Sequence, residues 1–288
     1  MIRLDIATVL LQWATGGLLF LWVTTRRREV GIGYGWLLRV TFALLAALAF
    51  VTGRALEPVP VRELASIGVV VAASVALGVS ILRRRAGVAG ERAEEVRKAA
   101  RVAAMTGAPS APQPAAAPPA ATPPEFPPVL DLVAPVIGVV GLLAAALDAG
   151  GEPALAVLRT LTGAAFLGAV TDAMLLGHWY LVQPGMARKP LLELVRWLTL
   201  IWPVEVLALL LPTGMLSVLS GSIADGYNGL LGWFWVACAL ATLVLCVVTR
   251  AALRERYYSA VMAATGFLYL AILTAFGTDL VARAVLAG

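Results

Sequence analysis

Residues 156–181 read AVLRTLTGAAFLGAVTDAMLLGHWYL. As a helix rising 1.5 Å per residue, this run is long enough to cross the ~30 Å hydrocarbon layer of a bilayer. Only Arg159, Asp172 and His178 interrupt its apolar and small residues with a titratable side chain other than tyrosine. Seven more runs read the same way, near 6–24, 36–52, 64–82, 129–149, 194–217, 230–249 and 258–280. The expected fold is an all-α polytopic transmembrane helix bundle of eight spans, three before a long central connection and five after it. A first run ending in Arg26-Arg27-Arg28 is expected to be a retained span, since it lacks the small-residue cleavage site of a secretory signal.

Composition points to the same solvent. Of 288 residues, 60% are hydrophobic and 14% charged, and the mean hydropathy is +0.89. A soluble chain carries about 25% charged residues, and one this poor in charge cannot cover a water-facing surface of its size. The net charge of +5 is therefore expected to sit in loops, and no nucleic-acid partner is inferred from it. Nearly all the basic residues are arginine, with only Lys98 and Lys189 as lysines, which suits a GC-rich bacterial proteome.

Loop charge gives an expected orientation. With the N-terminus outside, the inner loops hold Arg26 to Arg28, the basic residues from Arg83 to Arg101, Arg188, Lys189 and Arg196, and Arg250, Arg254 and Arg256. That is sixteen cations against five outside, namely Arg3, Arg54, Arg62, Arg159 and Arg283. The positive-inside rule then places both termini outside a bacterial cytoplasmic (inner) membrane.

The central connection has two compositions. Residues 83–106 are charged and Ala-rich, and are expected to continue the third span as a cytoplasmic helix. Residues 107–128 contain nine of the 17 prolines, a density that sustains neither helix nor sheet, so a disordered tether is expected there. The organisation is thus a three-span part (1–82), a helical extension (83–106), a Pro/Ala-rich linker (107–128) and a five-span part (129–288).

Two acids fall deep in the predicted spans, Asp172 in the fifth and Glu205 in the sixth. An ionised carboxylate at the bilayer centre costs at least ~2.5–3.5 kcal/mol, so each is expected to face protein or water, or to carry a proton. With those boundaries the two share a depth, and they are expected to face each other and share one proton. Pro203, two residues before Glu205, frees a backbone carbonyl and can open the helix there. His178, the sole histidine, lies near the inner interface on one stripe with Thr171. These two are expected to line the inner approach, with His178 as a proton-entry group or a donor to a quinone carbonyl; its bland alternative is an interfacial belt residue. Ala165, Ala169, Ala173 and Gly177, at a spacing of four, form a seam for close helix approach. Cys238 and Cys246, about 12 Å apart along one helix, are read as packing residues rather than a disulfide or metal site.

No nucleophile, phosphate-loop or metal motif accompanies these residues, and Gly31, Gly33 and Gly35 lie in a loop after a span rather than after a strand. The expected function is a non-catalytic membrane subunit of a bacterial energy-transducing or redox complex, handling protons or quinol beside membrane or cytoplasmic protein partners. The alternatives are a proton-coupled transporter of a small or lipidic solute and an intramembrane lipid-modifying enzyme.

Overall fold

The computed structural model describes residues 5–88, 124–183, 186–211, 214–255 and 257–286, and between 89 and 123 only residues 93, 96, 97 and 99. Regular structure among them is helical throughout. The helices are α1 (Ile6–Thr25), α2 (Ile32–Ala55), α3 (Pro60–Leu82), α4 (Val133–Asp148), α5 (Pro153–Val182), α6 (Lys189–Leu210), the short α7 (Met215–Leu219), α8 (Leu230–Ala252) and α9 (Tyr258–Leu286). A 3-10 turn, Pro128–Leu132, leads into α4. Seven helical segments are long and apolar enough to cross a membrane: α1, α2, α3, α5, α8, α9, and α4 together with its leading turn. The eighth long helix, α6, carries Lys189, Glu193, Arg196 and Glu205 and does not meet that measure.

The helices run alternately between two ends of the bundle. One end holds Asp5 at the start of α1, and the other holds Arg26 at its close. α1 and α5 are the interior helices: α1 packs on α2, α4 and α5, while α5 packs on α1, α4, α6 and α9. The segments before and after the central connection therefore share one core, in which Leu11, Phe42, Phe166, Leu198 and Leu268 are all buried. The outward faces are apolar instead, as with Leu44, Leu48 and Val51 on α2, Leu64 and Val71 on α3, and Val244 and Val247 on α8. Buried polar groups and exposed aliphatic ones, together with seven long apolar helices, are compatible with a multi-pass membrane protein.

Close backbone contact explains why α1 and α5 sit at the centre. A Cβ on Gly16 would lie 1.8 Å from the Ala164 carbonyl oxygen, and one on Gly168 would lie 2.1 Å from the Gly16 carbonyl carbon. The expected small-residue seam serves a different neighbour, because Thr265 of α9 donates a 3.0 Å hydrogen bond to the Gly177 carbonyl. Both cysteines are buried and free, and Cys238 packs against Gly277 of α9.

Three local expectations change. First, α3 ends at Leu82, and a 3-10 turn (Arg84–Ala86) followed by Gly87 at φ +62° redirects the chain, so the helix does not run on from the third span. Most of 89–106, and all of 107–123, lie outside the described residues. Second, residues 124–128 are ordered rather than tether. Arg28 pairs with Glu125 at 3.1 Å, Arg83 donates to the Glu125 carbonyl, and the Arg39 guanidinium stacks 4.4 Å over Phe126. Third, the sixth predicted span shifts. Its helix begins at Lys189 and stops at Leu210, and Leu211 is extended, the conformation favoured before a proline such as Pro212.

At the Asp5 end, Asp225 organises the start of α8. Its carboxylate accepts hydrogen bonds from the amides of Tyr227, Gly229 and Leu231, each at 2.9 Å, and Gly229 takes φ +83° to close the turn. These amides, Gly229 foremost, hold the Asp225 carboxyl below its ordinary range. A carboxyl depressed by folding adds stability above its unfolded value of ~4, and that stability is lost as pH falls through the folded value. Acidification into that window is expected to lower the protection factors of these three amides relative to their intrinsic exchange rates, and Asp225→Ala is expected to abolish their protection at every pH. Protection that survives Asp225→Ala would show that the loop is held by something else.

Candidate functional site

Buried charge collects at the Asp5 end of the bundle. Arg283 on α9 grips Asp279 one turn earlier, with Nε 2.7 Å from Oδ2 and Nη2 3.1 Å from Oδ1. Both side chains are essentially inaccessible. Spacing of four on one helix allows this pairing, and the two-pronged geometry is the strong form of a guanidinium–carboxylate contact. Gly163 of α5 makes room for it, since a Cβ there would lie 2.8 Å from Asp279 Oδ1 and 3.1 Å from Arg283 Nη2.

Glu205 of α6 enters the same cluster. Its carboxyl lies beside Asp279, Arg283 and Thr162, yet neither of its oxygens makes a hydrogen bond of good geometry. Gln12 of α1 closes the group from another side, donating through Nε2 to the Thr160 carbonyl at 2.6 Å. Arg159 sits nearby, but its fork is spent on the carbonyls of Ala208 and Leu211, both at 2.8 Å, at the C-terminal end of α6. The arrangement holds two carboxyl groups and two guanidinium groups, of which Arg283 embraces Asp279 and Arg159 is bound to backbone carbonyls, so neither guanidinium forks onto Glu205.

A second ionic set lies toward the outer surface of that end. Arg62 of α3 reaches Asp5, which also caps α1 through the amides of Ala7 and Thr8. The Arg62 guanidinium further contacts Glu63 Oε1 at 2.8 Å and Thr8 Oγ1 at 3.1 Å. A cavity of about 20 Å³ is lined by Asp5, Thr8 and Arg62 from this set and by Thr160 and Arg283 from the deeper one. That volume is about one probe sphere, enough for a single water with several polar partners. The two clusters are thus linked by polar walls from the Asp5 rim inward.

Asp172 is elsewhere. Its carboxyl is fully buried and both oxygens lack a hydrogen-bond partner, while Tyr34 donates to its backbone carbonyl at 3.2 Å. Glu205 is level with Thr162, so Asp172 lies ten residues away along α5, about 15 Å. The expected face-to-face pair of Asp172 and Glu205 does not form. The cause is the shifted sixth helix: with its end at Leu210, Glu205 is five residues from the terminus and not at mid-span. Pro203 does not interrupt α6, which is continuous through it.

Thr171 and His178 do not line an approach to either acid. The Thr171 hydroxyl donates to the Leu167 carbonyl at 2.7 Å and accepts from Trp13 Nε1 at 2.8 Å, which ties α5 to α1. His178 is exposed on the outside of the bundle, its Nδ1 3.0 Å from the hydroxyl of Tyr269, itself exposed. That position suits the belt alternative. Among the described residues no group of three or more His, Cys, Asp or Glu is arranged to hold a metal ion.

Sequence reasoning passed over Asp279 and Arg283 because it placed them at or beyond a span end. The signal was available: an Asp and an Arg four residues apart in an otherwise apolar run at the chain terminus. Comparison with protein-family models, curated proteins and solved structures finds no match for this chain.

Proposed function

We propose that the chain is a multi-pass protein of the bacterial cytoplasmic membrane in which α6 crosses with the other seven helices, with the Asp5 end outside and the Arg26 end in the cytoplasm. Its proposed role is that of a non-catalytic, proton-handling subunit of an energy-transducing or redox complex. The observation that carries this is the buried Glu205–Asp279–Arg283 centre. A buried carboxyl group without a hydrogen-bond partner, packed beside a second carboxyl group and two guanidiniums, is placed to take up and release one proton. The small polar cavity toward Asp5 and Arg62 gives that proton a one-sided route. On the α1 side, the Gly16–Ala164–Gly168 contact closes the helix crossing between this centre and Asp172. Orientation is supported by cation placement: Arg26, Arg27, Arg28, Arg83, Arg84, Arg85, Arg250 and Arg254 all lie at one end.

The test is one preparation. Purified in mild detergent from its source, the protein is expected to arrive with redox or energy-transducing subunits. Its infrared spectrum is expected to contain a buried protonated-carboxyl band that exchanges in heavy water and disappears in Glu205→Gln. The isosteric Gln variant keeps the volume of the site, so the assembly should remain intact while proton-linked turnover falls about a hundredfold or more, the lower end of losses when positioned proton-transfer groups are removed. A chain that purifies alone, or a Gln variant with an unchanged band and unchanged turnover, would overturn the reading.

A further inference from the structure

The Arg26 end contains a cavity of about 480 Å³ between α6, the close of α8 and the turn after α1. Five cations line it: Arg27, Lys189, Arg196, Arg250 and Arg254. Its one acid, Glu193, is already spent, with Oε1 2.5 Å from Arg26 and Oε2 3.0 Å from Arg27. Among the described residues, Lys189, Arg196, Arg250 and Arg254 have no carboxylate partner. Four cations without a carboxylate partner around one hollow give it a positive potential that favours entry of an anion. The start of α6 also borders the cavity and has no side-chain cap, which adds the positive end of a helix dipole.

The cavity is not only basic. Trp197 lines it with 40% of its surface exposed, and Leu200 with 53%. Leu200 lies one turn along α6 from Arg196 on the same face, and Val204 and Leu207 continue that exposed stripe toward the far end of the helix. A charged head and an apolar track of this length match a ligand that has both. The volume exceeds what a bare phosphate ion occupies.

We propose that this cavity is a binding site for the phosphate headgroup of an anionic phospholipid, with an acyl chain laid along Trp197, Leu200, Val204 and Leu207. The proposal rests on the membrane reading above but not on the proton centre, which lies at the opposite end. Basic pockets between helices at the cytoplasmic face take acidic headgroups by this chemistry.

The test uses the full chain in phosphatidylcholine nanodiscs containing spin-labelled phosphatidylglycerol or spin-labelled phosphatidylcholine. The immobilised fraction should favour phosphatidylglycerol by at least about fivefold. Each of Arg196→Gln and Arg250→Gln should weaken that preference about fivefold, from the roughly 1 kcal/mol that one basic residue contributes near an anionic surface. Arg54→Gln, which removes an exposed cation at the other end, and Glu205→Gln should leave it unchanged. Leu200→Ser should weaken lipid retention while sparing the cations. Equal retention of both lipids, equal loss in Arg54→Gln, or complete displacement by millimolar inorganic phosphate would overturn the proposal, the last by making the site one for a free anion. A chain that is soluble without detergent would overturn the membrane reading itself.

Discussion

Replacing Asp131 with leucine is expected to destabilise the protein by about 3–5 kcal/mol, the range for removing one partner of a buried ion pair. Arg39 and Asp131 are both nearly inaccessible, and two bonds join them, Nε to Oδ1 at 2.8 Å and Nη2 to Oδ2 at 2.7 Å. Thr25 donates a third bond to the same carboxylate at 3.0 Å, so α1, α2 and the turn before α4 converge on one side chain. Without Asp131 the Arg39 guanidinium keeps its burial and its stack on Phe126 but loses its only carboxylate among the described residues. Folded domains are stable by only about 5–15 kcal/mol, so most of the margin would go. The double variant Arg39→Met with Asp131→Leu removes both charges and should recover most of the loss. Unfolding by denaturing detergent, followed through tryptophan fluorescence, measures both. A single variant as stable as the parent would show that Arg39 finds another anion or reaches water.

The second large effect is expected at the crossing of α1 and α5. Gly16→Val should prevent accumulation of folded protein, and Gly168→Val should do the same. Overpacking a core usually costs about 1–3 kcal/mol because side chains yield by changing rotamer. Here the obstacle is backbone, with the Ala164 carbonyl oxygen 1.8 Å from the added Cβ and the Gly16 backbone against Gly168. Neither can yield without moving a helix that also packs on its other neighbours. Gly78→Val and Gly266→Ala are the matched controls, since a Cβ at either position meets no atom within 4 Å. Membrane-fraction yield and size-exclusion profile separate the pairs. Normal yield of Gly16→Val would mean that the helices can part without penalty.

Much of the fold was legible because length and hydropathy are local properties. Each expected run overlaps a helix, and the interior role of the fifth follows from its glycines and alanines. The centre of charge was less legible because it depends on rotation about each helix axis, which remote neighbours decide. Glu205 was found as a buried acid, but an end misplaced by seven residues, from 210 to 217, moved it to the wrong depth. Pro212 was the cue to stop the helix earlier. Thr171 and Asp172 adjoin in sequence yet meet different surroundings, Thr171 held by Trp13 and Asp172 without a side-chain partner. Asp131 and Arg39 share an expected end and carry opposite charge, so their pairing could be guessed but not its burial. The anchoring of Glu125 and Phe126 had no signal in a stretch dominated by proline.

Arg83 reaches from the close of α3 to the carbonyl of Glu125, and Ser80, Gly87, Val88, Glu125 and Phe126 surround one small hollow. The two described margins of residues 89–123 therefore meet at a single neck. Whatever path residues 89–123 follow, shortening that stretch is expected to shift no helix relative to another, because the residues on its two margins are fastened to each other.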